Sequence, residues 1–129
     1  MDALYPRLLV RDFPKSLAFY QGVLRDLLGV EPVKVLPGYA NWDIAGEAGL
    51  VLFDHAQLGI PPASPSQEGG ADRAMLVMKV DDVEKAAAIL ERHGATMAAP
   101  PQDRPAWGPT LRTAHLRDPE GTLIELQSY

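Results

Sequence analysis

The sequence predicts an α+β fold in which two βαβββ modules follow each other and their strands form a curved mixed sheet around a cleft. Patterns typical of strands and of amphipathic helices occur in the same order in both halves of the chain. The spacing is repeated too, since VRD at 10–12 stands 70 positions before VDD at 80–82, and the turn GEAG stands 73 positions before PEGT. This offset is longer than a solenoid repeat, so it indicates a duplication within a single domain.

The first module is predicted within residues 1–54. Residues 4–10 (LYPRLLV) form an apolar run that fits a strand, and Asp12 with Pro14 fits the cap and first turn of a helix. Apolar residues then recur at three- and four-residue steps over 15–28, which predicts the helix itself. Three short strands are predicted next, at 33–36, 39–45 and 49–54.

The second module is predicted within residues 74–129, after a linker at 55–73 that is rich in proline, glycine and small polar residues. MLVMKV at 75–80 fits a strand, and the aspartates that follow it fit the cap of a helix ending at Gly94. The remaining elements are predicted as a short strand at 96–99, a Pro-rich loop at 100–109, and strands at 110–117 and 122–127. Proline cannot donate to a central ladder, so we expect the loop not to pair in the middle of a sheet.

The composition excludes several classes of function. The chain has 129 residues, no cysteine and a net charge of -5. Disulfides, thiolate metal ligands and a cysteine nucleophile are therefore ruled out, and the acidic charge disfavours nucleic acids and membranes as partners. No apolar stretch is long enough to span a membrane, and the first residues do not resemble a secretory signal, so we expect a cytoplasmic protein.

The last two predicted strands flank the turn DPEG and carry the strongest functional signal. The simplest antiparallel pairing across this turn sets His115 opposite Glu125 and Thr113 opposite Gln127. Opposed residues have Cβ atoms about 5 Å apart and share a face of the sheet. We therefore expect these four side chains and Leu123 to line the cleft, while the apolar residues that alternate with them pack beneath helices.

The repeat assigns counterparts to three of these residues in the first module. An offset of 73 positions matches Trp42 with His115, Ala40 with Thr113 and Leu52 with Glu125. One wall of the cleft would then be polar and the other aromatic and apolar, which suits a small organic ligand. Trp107, on the Pro-rich loop, is expected at the mouth of the same site.

Glu125 and His115 are the candidate catalytic residues. A buried carboxylate beside an imidazole is able to move a proton near neutral pH. The same pair also serves as an ordinary structural hydrogen bond, and a register shift of one residue would turn both side chains outward. Both interpretations stay open on the sequence. The remaining histidines, His55 and His93, are interpreted as structural or solvated.

Two stretches of the chain resemble a known family. LLVRDFPKSLAFYQGVL resembles the opening, and WGPTLRTAHLRDPEGTLIEL the closing strands, of the glyoxalase/bleomycin resistance/dioxygenase superfamily (vicinal oxygen chelate fold). The resemblance covers essentially the whole chain. It implies paired βαβββ modules of the glyoxalase/bleomycin resistance/dihydroxybiphenyl dioxygenase fold, assembly as a homodimer and, in many members, a divalent metal in the cleft.

The sequence departs from the family pattern at the metal. The resemblance places the ligands at Tyr5, Leu52, Met75 and Glu125, and of these only Glu125 is a usual ligand. We therefore expect no cofactor, with Tyr5 and Met75 contacting the ligand instead. The leading hypothesis is a metal-free homodimer that binds a small organic ligand, as in drug or metabolite sequestration. The alternatives are a glyoxalase-like lyase or isomerase, using Glu125 as base or an atypical divalent metal, and an interaction module with an occluded cleft.

Overall fold

The computed structural model describes residues 1, 3–60 and 72–129. The chain divides into two compact units, Met1–Ala71 and Asp72–Tyr129. In its described part, each unit has one α-helix and one four-stranded sheet of mixed strand direction. The predicted tandem of βαβββ modules is confirmed. Most of the predicted linker, residues 61–71, lies outside the described residues.

The elements of the first unit are β1 Arg7–Val10, α1 Phe13–Leu28, β2 Lys34–Leu36, β3 Tyr39–Ile44 and β4 Glu47–Asp54. Its strand order is β1-β4-β3-β2, with β1 parallel to β4. Asp12 caps α1 by accepting a hydrogen bond from the backbone nitrogen of Lys15 at 3.2 Å, and Gly29 ends it with a left-handed φ of 66°. The first strand was predicted to begin at residue 4, whereas β1 begins at Arg7. Tyr5 therefore lies before the strand.

The second unit repeats this topology. Its elements are β5 Met75–Lys79, α2 Val83–Arg92, β6 Thr96–Asp103, β7 Arg112–Arg117 and β8 Leu123–Ser128. The strand order is β5-β8-β7-β6, with β5 parallel to β8. Asp82 caps α2 by accepting a hydrogen bond from the backbone nitrogen of Lys85 at 3.0 Å.

The prediction of a loop over residues 100–109 was wrong for its first four residues. Strand β6 continues through Pro100 and Pro101 to Asp103. The strand tolerates these prolines because it lies at the edge of the sheet, and its pairing with β7 is irregular between Ala99 and Gln102.

The predicted equivalence between the two modules is corrected by the strand register. Val77 pairs with Glu125 in the second sheet, whereas Arg7, 70 positions before Val77, pairs with Val51 in the first. Val51 is therefore the counterpart of Glu125, from which it is separated by 74 positions rather than 73. Leu52 does not occupy this place.

The same shift applies to β3. Asn41 lies opposite Val51, so Asn41 rather than Trp42 is the counterpart of His115. A slip of one residue moves a side chain to the other face of a sheet. Trp42 and Leu52 accordingly lie on the opposite face, where both are 0% exposed.

The turns explain why the offset was misjudged. The β3–β4 hairpin closes through the two residues between Ile44 and Glu47, whereas the β7–β8 hairpin closes through the five residues 118–122. The first hairpin also has an irregularity between Trp42 and Asp43. Matching the two turns therefore does not match the strands that they connect.

Each unit buries one apolar face of its sheet. In the first unit α1 contacts β4, and the buried residues of that sheet face are Ala40, Trp42, Leu50 and Leu52. In the second unit α2 contacts β7 and β8, and the buried residues are Ala114, Leu116, Ile124 and Leu126, as predicted. Neither described α-helix has the length and apolar character needed to cross a bilayer.

Candidate functional site

The β7–β8 hairpin has the pairing predicted from the sequence. His115 lies opposite Glu125, and Thr113 lies opposite Gln127. The four side chains share one face of the sheet, because opposed and alternate residues of paired strands point the same way. The hairpin therefore presents a polar face on the side opposite to its buried apolar residues.

The connecting turn fixes the register of the hairpin. The carboxylate of the buried Asp118 accepts hydrogen bonds from the backbone nitrogens of Glu120 and Thr122 at 2.9 and 2.8 Å. Gly121 has a φ of 90°, a conformation that glycine adopts without strain. The DPEG sequence thus explains why the two strands meet in this register and no other.

Glu125 is the centre of a hydrogen-bond network on the polar face. It is only 6% exposed, and its two carboxylate oxygens have different partners. Oε1 lies 2.9 Å from Nε2 of His115, and Oε2 accepts a hydrogen bond from Nε2 of Gln127 at 2.8 Å. An ionised carboxylate only accepts, so Nε2 of His115 is the donor in this contact.

A second chain of contacts links Thr113 to His115 through Arg104 and Trp107. Nε of Arg104 donates to Oγ1 of the fully buried Thr113 at 3.1 Å. The guanidinium lies over the indole of Trp107, with 4.3 Å between Cζ and the ring centroid. The rings of Trp107 and His115 are edge to face, with centroids 6.5 Å apart. Trp107 therefore belongs to the same polar face as Glu125.

Backbone hydrogen bonds close the loop that carries Trp107. The nitrogen of Arg104 donates to the oxygen of Leu111 at 2.8 Å, and the nitrogen of Trp107 donates to the oxygen of Arg104 at 2.9 Å. Prolines at 105 and 109 restrict the same loop further. Trp107 is 57% exposed, so the loop holds an apolar surface in a fixed position facing solvent.

An open pocket of about 340 Å³ lies between this loop and the end of β8. It is lined by loop residues 107–111 together with Gln127 and Tyr129. Gln127 connects the pocket to Glu125, because its side-chain amide donates to that carboxylate. Nζ of Lys79 lies 4.2 Å from the ring centroid of Tyr129.

Ion pairs hold both ends of β7. Arg112, at its start, binds Glu84 of α2 and, through Nη1, Asp103 of β6 at 3.0 Å. Arg117, at its end, forms a paired contact with Asp72, with both N–O distances at 2.8 Å. These hydrogen bonds lower the pKa of Glu84 and of Asp72 below their ordinary values. The strand that carries half of the polar face is therefore tied to its neighbours at both ends.

Of the other residues predicted to contact a ligand, three lie in the first unit and one, Met75, lies on the same sheet face as Glu125. Tyr5, Trp42 and Leu52 belong to the first unit, where Trp42 and Leu52 are buried and Tyr5 precedes β1. Met75 is in the second unit, two residues before Val77, the partner of Glu125 in β5. The predicted residues that the structure brings together are Trp107, Thr113, His115, Glu125 and Gln127.

The donor set does not fit the divalent metal that the resemblance implies. In the described part of the chain, no group of three or more histidine and carboxylate residues is placed to hold an ion. Glu125 has one imidazole beside it, while Leu52 and the true counterpart Val51 offer only hydrocarbon. A catalytic zinc site takes three protein ligands, and calcium takes six to eight oxygen ligands. We therefore assign no chemical step to a metal.

Comparison with known proteins agrees with this topology. A sequence model of the glyoxalase/bleomycin resistance protein/dioxygenase superfamily matches residues 4–126. The chain belongs to this superfamily. It is 36% identical over 132 residues to the uncharacterized protein YraH of Bacillus subtilis (strain 168), covering 98% of this chain and 97% of YraH.

Solved structures of the superfamily share the fold. A glyoxalase-related enzyme from Fulvimarina pelagi is 18% identical, with a TM-score of 0.74 over 100% of this chain and 89% of the other. Lactoylglutathione lyase from Agrobacterium tumefaciens is 22% identical, with a TM-score of 0.66 over 99% and 94%. At these identities the likeness shows the fold alone.

Sequence reasoning missed Arg104 and Lys79, the two cations beside the pocket. Arg104 stands three residues before Trp107 between prolines, and a tight loop brings such positions together. Lys79 pairs with Gln127, and Gln127 stands two residues before Tyr129 in the sequence. Its position could have been predicted from the parallel pairing of β5 with β8, which the βαβ order implies.

Proposed function

We propose that this superfamily member binds a small organic ligand on the polar face of the β7–β8 hairpin, and that it does so without a divalent metal. The Glu125 network carries this proposal, since a buried carboxylate is held by both His115 and Gln127 next to an open pocket. Polar groups held in fixed directions beside an apolar wall are what a small-ligand site requires. Trp107 supplies that wall.

Sequestration of a drug or metabolite is the role that we propose first. It requires a shaped surface and a few directed polar contacts, and the hairpin has both. Each oxygen of Glu125 already has a side-chain partner, at 2.9 and 2.8 Å. A substrate proton would have to compete with His115 or Gln127 for these oxygens, which favours a binding role for Glu125 over a role as base.

A lyase or isomerase activity is the second candidate, and the contact between Glu125 and His115 favours it. A carboxylate that accepts from Nε2 fixes the ring orientation and leaves Nδ1 free to take a proton, as in other carboxylate and histidine pairs. In this role His115 moves the proton and Glu125 orients the ring. The sequence prediction had assigned the base to Glu125.

Assembly and location are part of the same proposal. Homodimer formation and a cytoplasmic location follow from the resemblance to the superfamily and from the chain composition. Sedimentation of the purified protein over a range of concentrations tests the first, and fractionation of the native cells tests the second. A monomer at all concentrations would restrict the ligand site to a single chain.

A thermal-shift screen over a chemically broad library tests the binding proposal. A ligand at a hundredfold excess over its Kd should add about 2.7 kcal/mol to the free energy of unfolding. The screen is run with a chelator and again with divalent ions, and hits are repeated with Glu125→Gln, His115→Asn and the control Lys85→Gln on α2. We expect hits in chelator that the first two variants weaken and the control retains. Stoichiometric metal whose removal abolishes binding, or a screen with no hit, would overturn the proposal.

A further inference from the structure

We infer that the ligand of this pocket is anionic, a planar molecule that carries a carboxylate or phosphate group. The inference rests on the proposed function, because it names the chemical class of ligand for the same hairpin. It is carried by two cations, Arg104 and Lys79, each of which lies against an aromatic side chain that lines the pocket.

The positions of the two cations are defined by their aromatic partners. Cζ of Arg104 lies 4.3 Å from the ring centroid of Trp107, and Nζ of Lys79 lies 4.2 Å from that of Tyr129. Trp107 and Tyr129 both line the pocket. Two of its walls are therefore backed by positive charge, and both rings are largely exposed, which leaves planar surfaces available for stacking.

Neither cation is neutralised by an ion pair with a carboxylate that the structure describes. The other arginines of β7 are different, since Arg112 and Arg117 both bind acidic side chains. Arg104 is half-buried, and of the N–H donors of its guanidinium only Nε has a described partner, Thr113. A planar fork of unused donors matches the oxygens of a carboxylate or a phosphate.

The charge distribution around the pocket also favours an anion. Among the residues that the structure describes, the lining includes no acidic side chain, and the nearby carboxylate of Glu125 is buried and hydrogen-bonded on both oxygens. Arg104 and Lys79 lie against two aromatic residues of the lining rather than in the lining itself, and because the whole chain carries a net charge of -5, this local positive charge is not a consequence of composition. A cationic ligand would lie near Arg104 and Lys79, and Glu125, the nearby carboxylate, already has a hydrogen-bond partner on each oxygen.

A matched series of naphthalene probes tests the inference on the full chain. Naphthoate and naphthyl phosphate are the anionic members, naphthamide is the neutral member, and naphthylmethylammonium is the cationic member. Binding is read by quenching of tryptophan fluorescence, because Trp107 is exposed while Trp42 is fully buried and serves as an internal reference. Trp107→Phe, followed by calorimetry, shows whether the quenching comes from stacking at this position.

We expect at least one anionic probe to bind about tenfold or more tightly than naphthamide, since charge-assisted hydrogen bonds are about twice as strong as neutral ones. Arg104→Gln and Lys79→Gln should each remove most of this preference, and added salt should weaken it. The control Lys85→Gln removes the same charge from α2 and should leave the preference unchanged. If Arg104→Gln fails to fold, Lys79→Gln still provides the test.

The outcomes separate this inference from the proposed function. Naphthamide or the cation binding as tightly as the anions would overturn the anionic class and leave ligand binding standing. A preference that persists in both folded variants would also overturn it. Hits from the broad library that are all neutral or cationic would do the same, whereas no binding by any probe or library compound would overturn both proposals.

Discussion

The contact between His115 and Glu125 can be tested by a double-mutant cycle in the free protein. Replacing Glu125 with Leu removes the acceptor of two hydrogen bonds, at 2.9 and 2.8 Å, but also removes a charge that is only 6% exposed. Loss of the two hydrogen bonds lowers the free energy of unfolding by about 1.5–3 kcal/mol each. Removal of the buried charge and burial of a leucine side chain raise it by similar amounts. The single variant is therefore a poor measure of the pair.

The cycle isolates the pair because the opposing contributions cancel. We expect Glu125→Leu and His115→Leu to be non-additive by about 1.5–3 kcal/mol, the size of a hydrogen bond to a charged group. The assay is urea denaturation of the wild type, the two single variants and the double variant. A control cycle of Glu125→Leu with Lys85→Gln should be additive, since Lys85 lies on α2 and makes no described contact with Glu125. A coupling within about 0.5 kcal/mol of zero for the first cycle would refute the network.

Three further predictions concern stability. Ala45 has a left-handed φ of 56° in the two-residue β3–β4 turn, so Ala45→Asn should raise the free energy of unfolding by about 1 kcal/mol in urea titrations, and no gain would argue against this turn. Leu116 is fully buried beneath α2, so Leu116→Ala should lower the free energy of unfolding by about 2–5 kcal/mol. An unchanged urea midpoint would place this residue outside the core. Arg112 lowers the pKa of Glu84 from its ordinary 4.5, so the pair stabilises the fold above that pH and the benefit is lost as the pH falls through the lowered value. Melting temperatures of wild type and Glu84→Gln should therefore differ at neutral pH and converge in acid, and a difference that grows in acid would contradict the assigned direction.

The hairpin of the second module was predictable because several signals agree on one register. DPEG defines the turn, and one face is apolar at 114, 116, 124 and 126 while the other is polar except at Leu123. A slip of one position would bury Thr113 and Gln127 against α2, which the pattern does not allow. The observed pairing of His115 with Glu125 is the prediction made from the sequence.

The first module carried a weaker signal. Strand β4 is apolar on both faces over residues 50–53, so its pattern alone does not select a register. The offset was therefore taken from the turns. Because the β3–β4 turn is shorter than the β7–β8 turn, this offset assigned Trp42 and Leu52 to the wrong face of the sheet. Arg104 was missed for a different reason. Its place over Trp107 depends on the conformation of a Pro-rich loop, which has no periodic pattern.

Calorimetric titration of the tightest compound from the ligand screen, in the presence of a chelator, tests the central claim most directly. The wild type should bind with its full affinity, and Arg104→Gln should weaken binding by about tenfold or more, as expected for the loss of a contact with a charged group. Glu125→Gln should weaken binding through the altered positions of His115 and Gln127, which the carboxylate holds. The account is contradicted if binding requires a divalent ion, or if both folded variants bind as tightly as the wild type.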